Sequence, residues 1–487
     1  MISKTIKLAL ALLLISISVS FGAISSEYVI LISKSVEADS EWMKAVNTLQ
    51  KRHSAAILTY INHPEDVENA LKAQYPRYVA VFDKPENLNA DFVIRLNRLS
   101  RRMDNDMYVD FLYGIMTGYD ASTVMRMVQN SKDPFVIKSA LNTTSVASDG
   151  TLFDRFAYIS DGKKGVWGEK KSVKDPVKEY EVSPWDILSI FVEKYKKLKP
   201  DLLITSGHGS EEALEMSFSV GELRTKNGDL YADFYTPETL PAHTAPRVYF
   251  PAGNCLIGNV NNDPQSMAVA WMSGGGATAM IGYVVPTWYG RGGWGELNTW
   301  MRQGDELTLA QAVFMSQQQT LFTLQQWDAK LASLMPEIPL KSFNLPEDLM
   351  FDLEKTLGRK ISNDELGFMH DRDVLAVYGD PKWDARFQKK RSKSLGYDVT
   401  WKQKGEKVEL TINTHQALDS TLRIKDKEGK IGKNTMPFHF FFPKRLKSPK
   451  LAAGQSWQVA LDENFLTIYN PGFVPNKKYT IILDVEK

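Results

Sequence analysis

Hydrophobic and polar positions alternate along the first part of the chain in a pattern that predicts strands and helices in turn. Short β-branched or aromatic runs are separated by segments whose apolar residues recur at three- and four-residue spacing. The predicted strands and helices are 28–33, 40–53, 55–61, 64–74, 78–82 and 90–102. This alternation is typical of a parallel sheet with helices on both faces, so we expect an N-terminal α/β subdomain over residues 28–130.

A second α/β subdomain is predicted over residues 131–388. Its hydrophobic runs resemble those of the first, and they are again separated by turn-forming and helical segments. Strands are expected at 135–143, 201–206, 247–250 and 277–285, and a helix near 265–272.

The clearest helix in this second subdomain is predicted to begin at Ser183. Serine is a good N-cap, Pro184 suits the first helical position, and Asp186 lies where a carboxylate can reach back to the cap. Pro200 then ends the helix. Its apolar stripe is expected to contain Trp185, Leu188, Phe191, Tyr195 and Leu198.

From about residue 397 the helical periodicity gives way to short alternating strands with polar turns. The expected strands are 408–413, 421–425, 457–461, 465–469 and 479–485. Several short strands in so few residues favour a β-sandwich of immunoglobulin-like type over residues 397–487, joined by the basic segment 388–393.

The N-terminus has the pattern of an export signal. Lys4 and Lys7 precede an apolar run from Leu8 to Val19, and small residues follow it, so residues 1–23 are predicted to be a signal peptide. A buried N-terminal strand or helix is the alternative. The rest of the chain contains no second apolar stretch of membrane-spanning length, which predicts a secreted, periplasmic or cell-surface bacterial protein.

Charge does not identify a partner. The 487 residues contain 59 Lys plus Arg and 58 Asp plus Glu, a net charge of +1. This balance gives no long-range field that would favour nucleic acid, and we expect protein or peptide substrates with no nucleic-acid partner.

The chain contains a single cysteine, Cys255. Exported proteins usually keep cysteines in pairs for disulfides, so an unpaired thiol is either a buried small hydrophobic residue or a reactive nucleophile. The count alone leaves both interpretations open.

Two loops follow predicted neighbouring strands, at the end of a sheet where α/β proteins place reacting groups. One loop holds His208 between Gly207 and Gly209, and the glycines leave an unobstructed amide that can donate to an oxyanion. The other ends a hydrophobic strand with Asn254 and Cys255. A glycine-flanked histidine by itself is typical of a turn, but together the two loops predict a cysteine nucleophile with a histidine partner.

At these residues the sequence resembles the gingipain family of cysteine peptidases, in the clan that also contains caspases. The segments that carry the resemblance are the histidine loop 207–211, the nucleophile strand 248–255, the acidic and aromatic segment 106–114, the Gly-rich segment 276–288 and the Gly-Asp-Pro signature at 377–381. The resemblance implies a caspase-like or gingipain-like parallel-sheet sandwich of two subdomains, followed by an immunoglobulin-like domain.

The resemblance also implies a cysteine endopeptidase. Cys255 would attack the peptide carbonyl as a thiolate, His208 would protonate the leaving amine, and the amides of Gly209 and Cys255 would form the oxyanion hole. No cofactor and no catalytic metal are implied.

Specificity is less readable from the residues. By resemblance Trp288 lines the primary pocket, although a core or surface tryptophan has the same signal. A carboxylate on the pocket floor would select Arg or Lys; Asp154 is the candidate, Asp149 its rival, and a solvated loop acid the alternative for either. Structural calcium is a further possibility, at Asp104, Asp106, Asp110 and Asp120, although an acidic surface has the same composition.

Two features support other hypotheses. Asn254 precedes Cys255 where the family commonly has alanine, and no carboxylate after strand 135–143 is placed to orient His208. The alternatives are a catalytically inactive gingipain-fold protein for binding or surface assembly, and a transpeptidase that processes exported proteins.

Overall fold

The computed structural model describes residues 26–145, 150–287, 291–338, 340, 347–388, 395–423 and 436–486. The predicted signal peptide at 1–23 lies outside these residues. In the described part of the chain, no helix combines the length and the apolar character needed to cross a bilayer.

The described chain alternates strands and helices from residue 28 to residue 130, as the hydrophobic pattern predicts, whereas residues 135–251 form two runs of consecutive strands separated by one α-helix. The first strands are β1 Tyr28–Ser33, β2 Ala56–Tyr60, β3 Tyr78–Phe82, β4 Leu112–Met116, β5 Phe135–Ile137, β6 Ser139–Asn142, β7 Arg155–Ile159, β8 Val166–Lys170 and β9 Lys178–Glu181. The next are β10 Leu202–Thr205, β11 Ala213–Glu215, β12 Glu222–Lys226, β13 Asp229–Ala232, β14 Glu238–Thr239, β15 Val248–Pro251, β16 Ala279–Tyr283, β17 Leu375–Tyr378 and β18 Ala385–Phe387.

Helices lie between these strands and in a long segment before β17. They are α1 Lys34–Glu37, α2 Ser40–His53, α3 Glu68–Gln74, α4 Ala90–Leu99, α5 Ala121–Asn130, α6 Ile187–Leu198, α7 Met267–Met272, α8 Arg291–Gln303, α9 Leu309–Trp327, α10 Ala329–Ser333, α11 Glu347–Leu357 and α12 Asn363–Asp373. The hydrophobic pattern did not predict α8 to α12.

One mixed sheet, with twelve strands in the described chain, runs through both predicted subdomains in the order β2-β1-β3-β4-β17-β16-β15-β10-β6-β7-β8-β9. Strands β1, β3 and β4 are buried along their whole length, because helices cover both faces of the sheet. The neighbours β16 and β17 are antiparallel, whereas β10, β15 and β16 run parallel to one another. The prediction of an α/β fold with parallel strands is confirmed, and the reversal at β17 is new.

The predicted strand 135–143 is two strands. β5 pairs with β18 in a separate two-stranded sheet, whereas β6 lies in the large sheet between β10 and β7. Lys138 separates them, and its amide donates to the Asp201 carboxylate rather than to a neighbouring strand. One continuous hydrophobic run in the sequence therefore contains two strands that belong to different sheets.

The predicted helix at Ser183 begins later than expected. Residues Pro184–Asp186 form a 3₁₀ turn, the Ser183 side chain makes no capping hydrogen bond within the described chain, and α6 starts at Ile187. Phe191 is fully buried, but Trp185 is 76% exposed. A 3₁₀ turn has three residues per turn, so Trp185 is rotated away from the buried stripe, and its assignment to that stripe was wrong.

Residues after 395 form a separate, all-antiparallel unit in the described chain. Its strands are β19 Tyr397–Lys404, β20 Lys407–Thr414, β21 Phe438–Phe441, β22 Lys450–Leu451, β23 Val459–Asp462, β24 Phe465–Ile468 and β25 Lys478–Asp484. They make a four-stranded sheet β19-β20-β25-β22 and a three-stranded sheet β21-β24-β23 around their own hydrophobic cluster. The expected strand 421–425 was wrong at its described start, because Ser420–Leu422 is a 3₁₀ turn.

Helix α9 joins the two units. Phe314 of this helix lies edge-on to Phe441 and Phe465, with ring centroids 5.7 Å apart in each pair, and Phe322 stacks on Tyr469 at 3.7 Å. The three-stranded sheet is thus packed against the α/β unit through aromatic rings, each of which buries a large apolar area.

Candidate active site

Strands β10 and β15, which carry the two predicted catalytic loops, are direct neighbours in the sheet. They pair in parallel, with Thr205 opposite Pro251, and both strands are fully buried. The Ala252 amide then donates to the Thr205 carbonyl over 3.0 Å, so the two chains stay together for one more residue. The histidine and cysteine loops therefore leave the same edge of the sheet side by side.

The histidine loop turns back on itself immediately after β10. Gly207 has a φ of +131°, a conformation that residues with a side chain rarely adopt. The His208 carbonyl accepts a hydrogen bond from the Glu215 amide over 3.0 Å, and Gly209 forms a single β-bridge with Leu214. The His208 side chain is exposed, so the turn presents the imidazole to solvent at the sheet edge.

Gly209 lies directly against the cysteine loop. A Cβ atom placed on Gly209 would be 3.0 Å from the Cys255 carbonyl oxygen and 2.8 Å from Cγ1 of Ile257. Such distances are shorter than ordinary van der Waals contact, so the close approach requires glycine. The residue after His208 and the residue predicted as nucleophile are thus in backbone contact.

Cys255 is half-buried, and its sulfur has a polar partner. The Thr287 amide donates to Sγ over 3.2 Å. Sequence reasoning missed Thr287, because the donor is a backbone amide and carries no residue signature.

A tryptophan that was not predicted as a site residue lies next to the cysteine loop. The ring nitrogen of Trp294, on α8, lies 3.0 Å from where a Cβ atom on Gly253 would stand. The predicted pocket residue Trp288 lies outside the described residues. Trp294 is therefore the tryptophan whose contact with the cysteine loop is described.

Asp154 is at the wrong end of the sheet for a pocket residue. It immediately precedes β7, which runs parallel to β6 and β10, so it lies at the amino end of these strands. There Gln388 donates to its carboxylate. The assignment fails because Asp154 precedes a strand, whereas a pocket residue at this site would follow one. The rival candidate, Asp149, lies outside the described residues.

Asp161 is a carboxylate, missed by sequence reasoning, at the end of the sheet from which the histidine and cysteine loops leave. It follows the carboxyl end of β7, and the Ser145 amide donates to its Oδ1 over 2.9 Å. Burial alone would raise the pKa of Asp161, but hydrogen bonds from Ser145 and Thr144 outweigh burial and lower the pKa below its ordinary value. Asp161 is therefore ionised at neutral pH.

In the described part of the chain no carboxylate is hydrogen-bonded to the His208 imidazole. Strand β6 ends in Asn142, and Thr143 and Thr144 follow it, so the place where an orienting acid was sought holds hydroxyls.

A group of acidic side chains lies away from this edge, where the α/β unit meets the C-terminal unit. Asp104 offers a carboxylate oxygen within 4.8 Å of those of Asp106 and Asp110, and within the same distance of those of Asp462 and Glu463. The assignment of Asp120 to the same calcium group was wrong. Asp120 caps α5 and accepts a 2.8 Å hydrogen bond from the Thr123 amide.

Burial and neighbouring negative charges perturb this acidic group. They raise the pKa of Asp110 to about 8 and that of Asp462 to about 10. Oδ1 of Asp110 and Oδ2 of Asp462 are buried and have no hydrogen-bond partner in the described structure. Carboxylates grouped at the spacing given above fit a hard cation such as calcium.

Comparisons with known proteins give a structural likeness only. No family model matches the sequence. No curated protein matches it. Among solved structures, the chain is similar to the Arg-specific cysteine proteinase gingipain R at 12% identity, with 95% of this chain and 92% of that chain covered and a TM-score of 0.44.

Two further solved structures give the same picture. A complex of the pro- and mature domains of RgpB from Porphyromonas gingivalis is 12% identical, with 95% and 93% coverage and a TM-score of 0.43. A structure described only as a protease is 9% identical, with 94% and 96% coverage and a TM-score of 0.38. At these values the likeness says nothing about which residues of this chain are functional.

Proposed function

We propose that this protein is an exported cysteine endopeptidase with Cys255 as nucleophile and His208 as its proton-transfer partner. One observation carries the proposal: the histidine and cysteine loops leave adjacent parallel strands at one sheet edge and touch through Gly209 and the Cys255 carbonyl. The thiol accepts an amide hydrogen bond, and the neighbouring loop carries an exposed imidazole, so a nucleophile and a proton-transfer group are on adjoining loops, as nucleophilic catalysis needs.

The chemistry is acyl transfer. The Cys255 thiolate adds to the peptide carbonyl, and a tetrahedral oxyanion forms that the amides of Gly209 and Cys255 stabilise. As the C–N bond breaks, His208 gives its proton to the leaving amine. The thioester that remains is then attacked by water, His208 accepts a proton from that water, and the acid product leaves with the thiolate restored.

For specificity we assign the basic-residue preference to Asp161 instead of Asp154. Asp161 is ionised, follows a strand end on the catalytic edge, and is fixed by Ser145. A fixed carboxylate pairs well with the guanidinium or ammonium group of a substrate Arg or Lys. Trp288 stays a proposed pocket residue on the resemblance given above.

Export and structural calcium belong to the same proposal. The basic start and the apolar run at 8–19 support a signal peptide, and therefore a secreted, periplasmic or surface location. The acidic group around Asp104 supports a calcium ion that would hold the α/β unit to the C-terminal unit, a structural role with no part in the reaction.

The test uses a fluorogenic peptide library and the full-length chain. Wild-type protein should cleave peptides, whereas Cys255→Ala and His208→Ala should lose at least about 10³-fold in kcat/KM, since each removes a member of the reacting pair. Cleavage by Cys255→Ala at the wild-type rate would eliminate Cys255 from the mechanism.

Two further measurements separate the alternatives. A thiol-directed electrophile should label Cys255 in the native protein; absence of labelling together with absence of cleavage would favour the inactive binding protein. Adding a nucleophilic amine and analysing the products would reveal a transpeptidase, because the acyl group would then be transferred to the amine instead of to water.

A further inference from the structure

The side chain of Asn254 connects the cysteine loop to the histidine loop. Its amide nitrogen donates to the Gly207 carbonyl over 2.9 Å, and its oxygen accepts a hydrogen bond from the Thr205 hydroxyl over 2.7 Å. Asn254 has no exposed surface. A buried amide that has both a donor and an acceptor satisfied is held in one orientation.

The hydrogen bonds form a directed chain. The Thr205 hydroxyl spends its only proton on Asn254, so the Tyr249 hydroxyl, 2.9 Å from the threonine oxygen, must donate to it. The chain therefore runs from Tyr249 on β15 through Thr205 on β10 to Asn254 and then to Gly207. Tyr249 and Thr205 belong to buried strands, whereas Asn254 and Gly207 immediately precede the two proposed catalytic residues.

The peptides on both sides of His208 are fixed as a result. The hydrogen bond from Asn254 holds the Gly207 carbonyl, which belongs to the peptide that leads into His208, and the Glu215 amide holds the His208 carbonyl on the other side. With both flanking peptides held, the Cα–Cβ direction of His208 is set by the backbone alone. Asn254 is also joined covalently to Cys255, so the same residue sets the position of the nucleophile.

We infer that Asn254 is a positioning residue that aligns His208 with Cys255. An orienting carboxylate would hold the imidazole through a hydrogen bond to the ring, whereas Asn254 holds the backbone that carries it. The inference rests on the proposed function of the same site. It accounts together for two features of this chain: an asparagine before the nucleophile, and an imidazole without a carboxylate partner in the described residues.

A second asparagine, Asn259, forms a hydrogen bond with the other end of the histidine loop. The Asn259 amide donates to the Glu211 carboxylate over 3.0 Å, and the Met267 amide donates to the Glu211 carbonyl over 2.6 Å. The loop is thus attached to the cysteine segment before and after His208, so removing Asn254 should shift the loop locally and leave its far end in place.

The experiment compares full-length Asn254→Ala with Asn97→Ala. Asn97 is a matched control: it is buried, its amide donates to the Asp373 and Leu375 carbonyls, and it accepts from the Tyr113 hydroxyl, but it lies on α4 outside the proposed site. Both variants lose a buried asparagine network and should lose similar thermal stability.

Only Asn254→Ala should lower kcat, by about a hundredfold, with KM within about threefold of wild type, because a misplacement near 1 Å is enough for such a loss. The rate at which a small electrophile alkylates Cys255 is measured against pH as a second readout that needs no substrate. The Asn254→Ala profile should move toward that of His208→Ala, and the Asn97→Ala profile should match wild type.

The outcomes distinguish this inference from the proposed function. If His208→Ala changes the alkylation profile and folded Asn254→Ala leaves both the profile and kcat unchanged, the positioning role is overturned and the peptidase proposal stands. If His208→Ala leaves the profile unchanged and wild type cleaves no peptide, the proposed function fails and the positioning role fails with it.

Should Asn254→Ala not fold, Thr205→Val serves as the second variant. Valine keeps nearly the same volume and removes the hydroxyl that holds Asn254, which also takes away the acceptor of the Tyr249 hydroxyl. It should reduce kcat about tenfold in the same direction, and wild-type kinetics with a wild-type alkylation profile in this variant would overturn the inference.

Discussion

At the level of single residues, two aspartates lie at opposite ends of β7, and the direction of the strand determines which of them is near the proposed active site. Asp154 and Asp161 are only seven residues apart, and either could select a basic substrate by composition. Five residues of extended strand separate them by roughly 16 Å, so only the one that follows the strand shares the edge with His208 and Cys255.

We therefore predict that Asp161→Asn removes the preference for Arg or Lys before the cleaved bond. The kcat/KM for basic peptides should fall by at least about a hundredfold, because a desolvated charge partner is lost, while neutral peptides change little. Asp154→Asn is the control and should keep the preference. Equal loss in both variants, measured with paired fluorogenic substrates, would argue against a pocket role for Asp161.

At the scale of elements, helix α6 shows which part of an apolar stripe carries stability. Phe191 is fully buried and packs near Tyr195, with ring centroids 6.2 Å apart, whereas Trp185 precedes the helix and is exposed. Area removed from water, not hydrophobic character, determines the contribution of a side chain to folding.

Phe191→Ala should therefore lower the free energy of unfolding by about 3–5 kcal/mol, and Trp185→Ala by less than about 0.5 kcal/mol. Urea unfolding followed by circular dichroism measures both. A Trp185 variant as unstable as the Phe191 variant would mean that Trp185 is buried in solution, for example against another molecule.

At the scale of the whole molecule, the acidic group around Asp104 lies where the two units meet. The Tyr75 hydroxyl lies 3.0 Å from the Asp104 carboxylate and 2.9 Å from the Glu463 carboxylate, and the Asn464 side-chain amide donates to the Asp110 carbonyl, so this junction is polar as well as aromatic. The raised pKa values of Asp110 and Asp462 make the junction sensitive to pH.

Without calcium, the stability of the folded protein should fall as pH rises from about 4 to about 8. The pKa of Asp110 is raised to about 8 when folded and is ordinary when unfolded, so the folded state holds a proton that the unfolded state has already released. One such proton gives a slope of about 1.4 kcal/mol per pH unit, and Asp462, whose pKa is raised to about 10, adds a second over the same range. Asp110→Asn should therefore reduce the slope by about half.

Thermal unfolding in a chelator between pH 5 and pH 8 measures this slope in both proteins. Calcium at about 1 mM should raise the Tm of the wild type more at pH 8 than at pH 5, because the ligands must be ionised to bind. A slope unchanged by Asp110→Asn would show that Asp110 does not carry the effect, and a Tm insensitive to calcium would remove the cation from the proposal.

Much of the secondary structure could be predicted from the sequence because it is locally encoded. β1, α2, β3, β10 and β15 lie close to their predicted ranges, since short β-branched runs and regular apolar spacing specify strands and helices without reference to the rest of the chain. Helices α8 to α12 were not predicted from the pattern, and the change of sheet between β5 and β6 has no local signal.

Residues near one another in the chain are enough to predict a largely α/β protein in which the lone cysteine and a glycine-flanked histidine each follow a buried strand. Contacts between distant segments establish that β10 and β15 are neighbours and that the Thr287 amide reaches the sulfur. They also place Asp161, and not Asp154, at the end of the sheet that carries His208 and Cys255, and they join the two loops through Asn254. Strand order and strand direction arise from packing between distant segments, and no local pattern of residues encodes them.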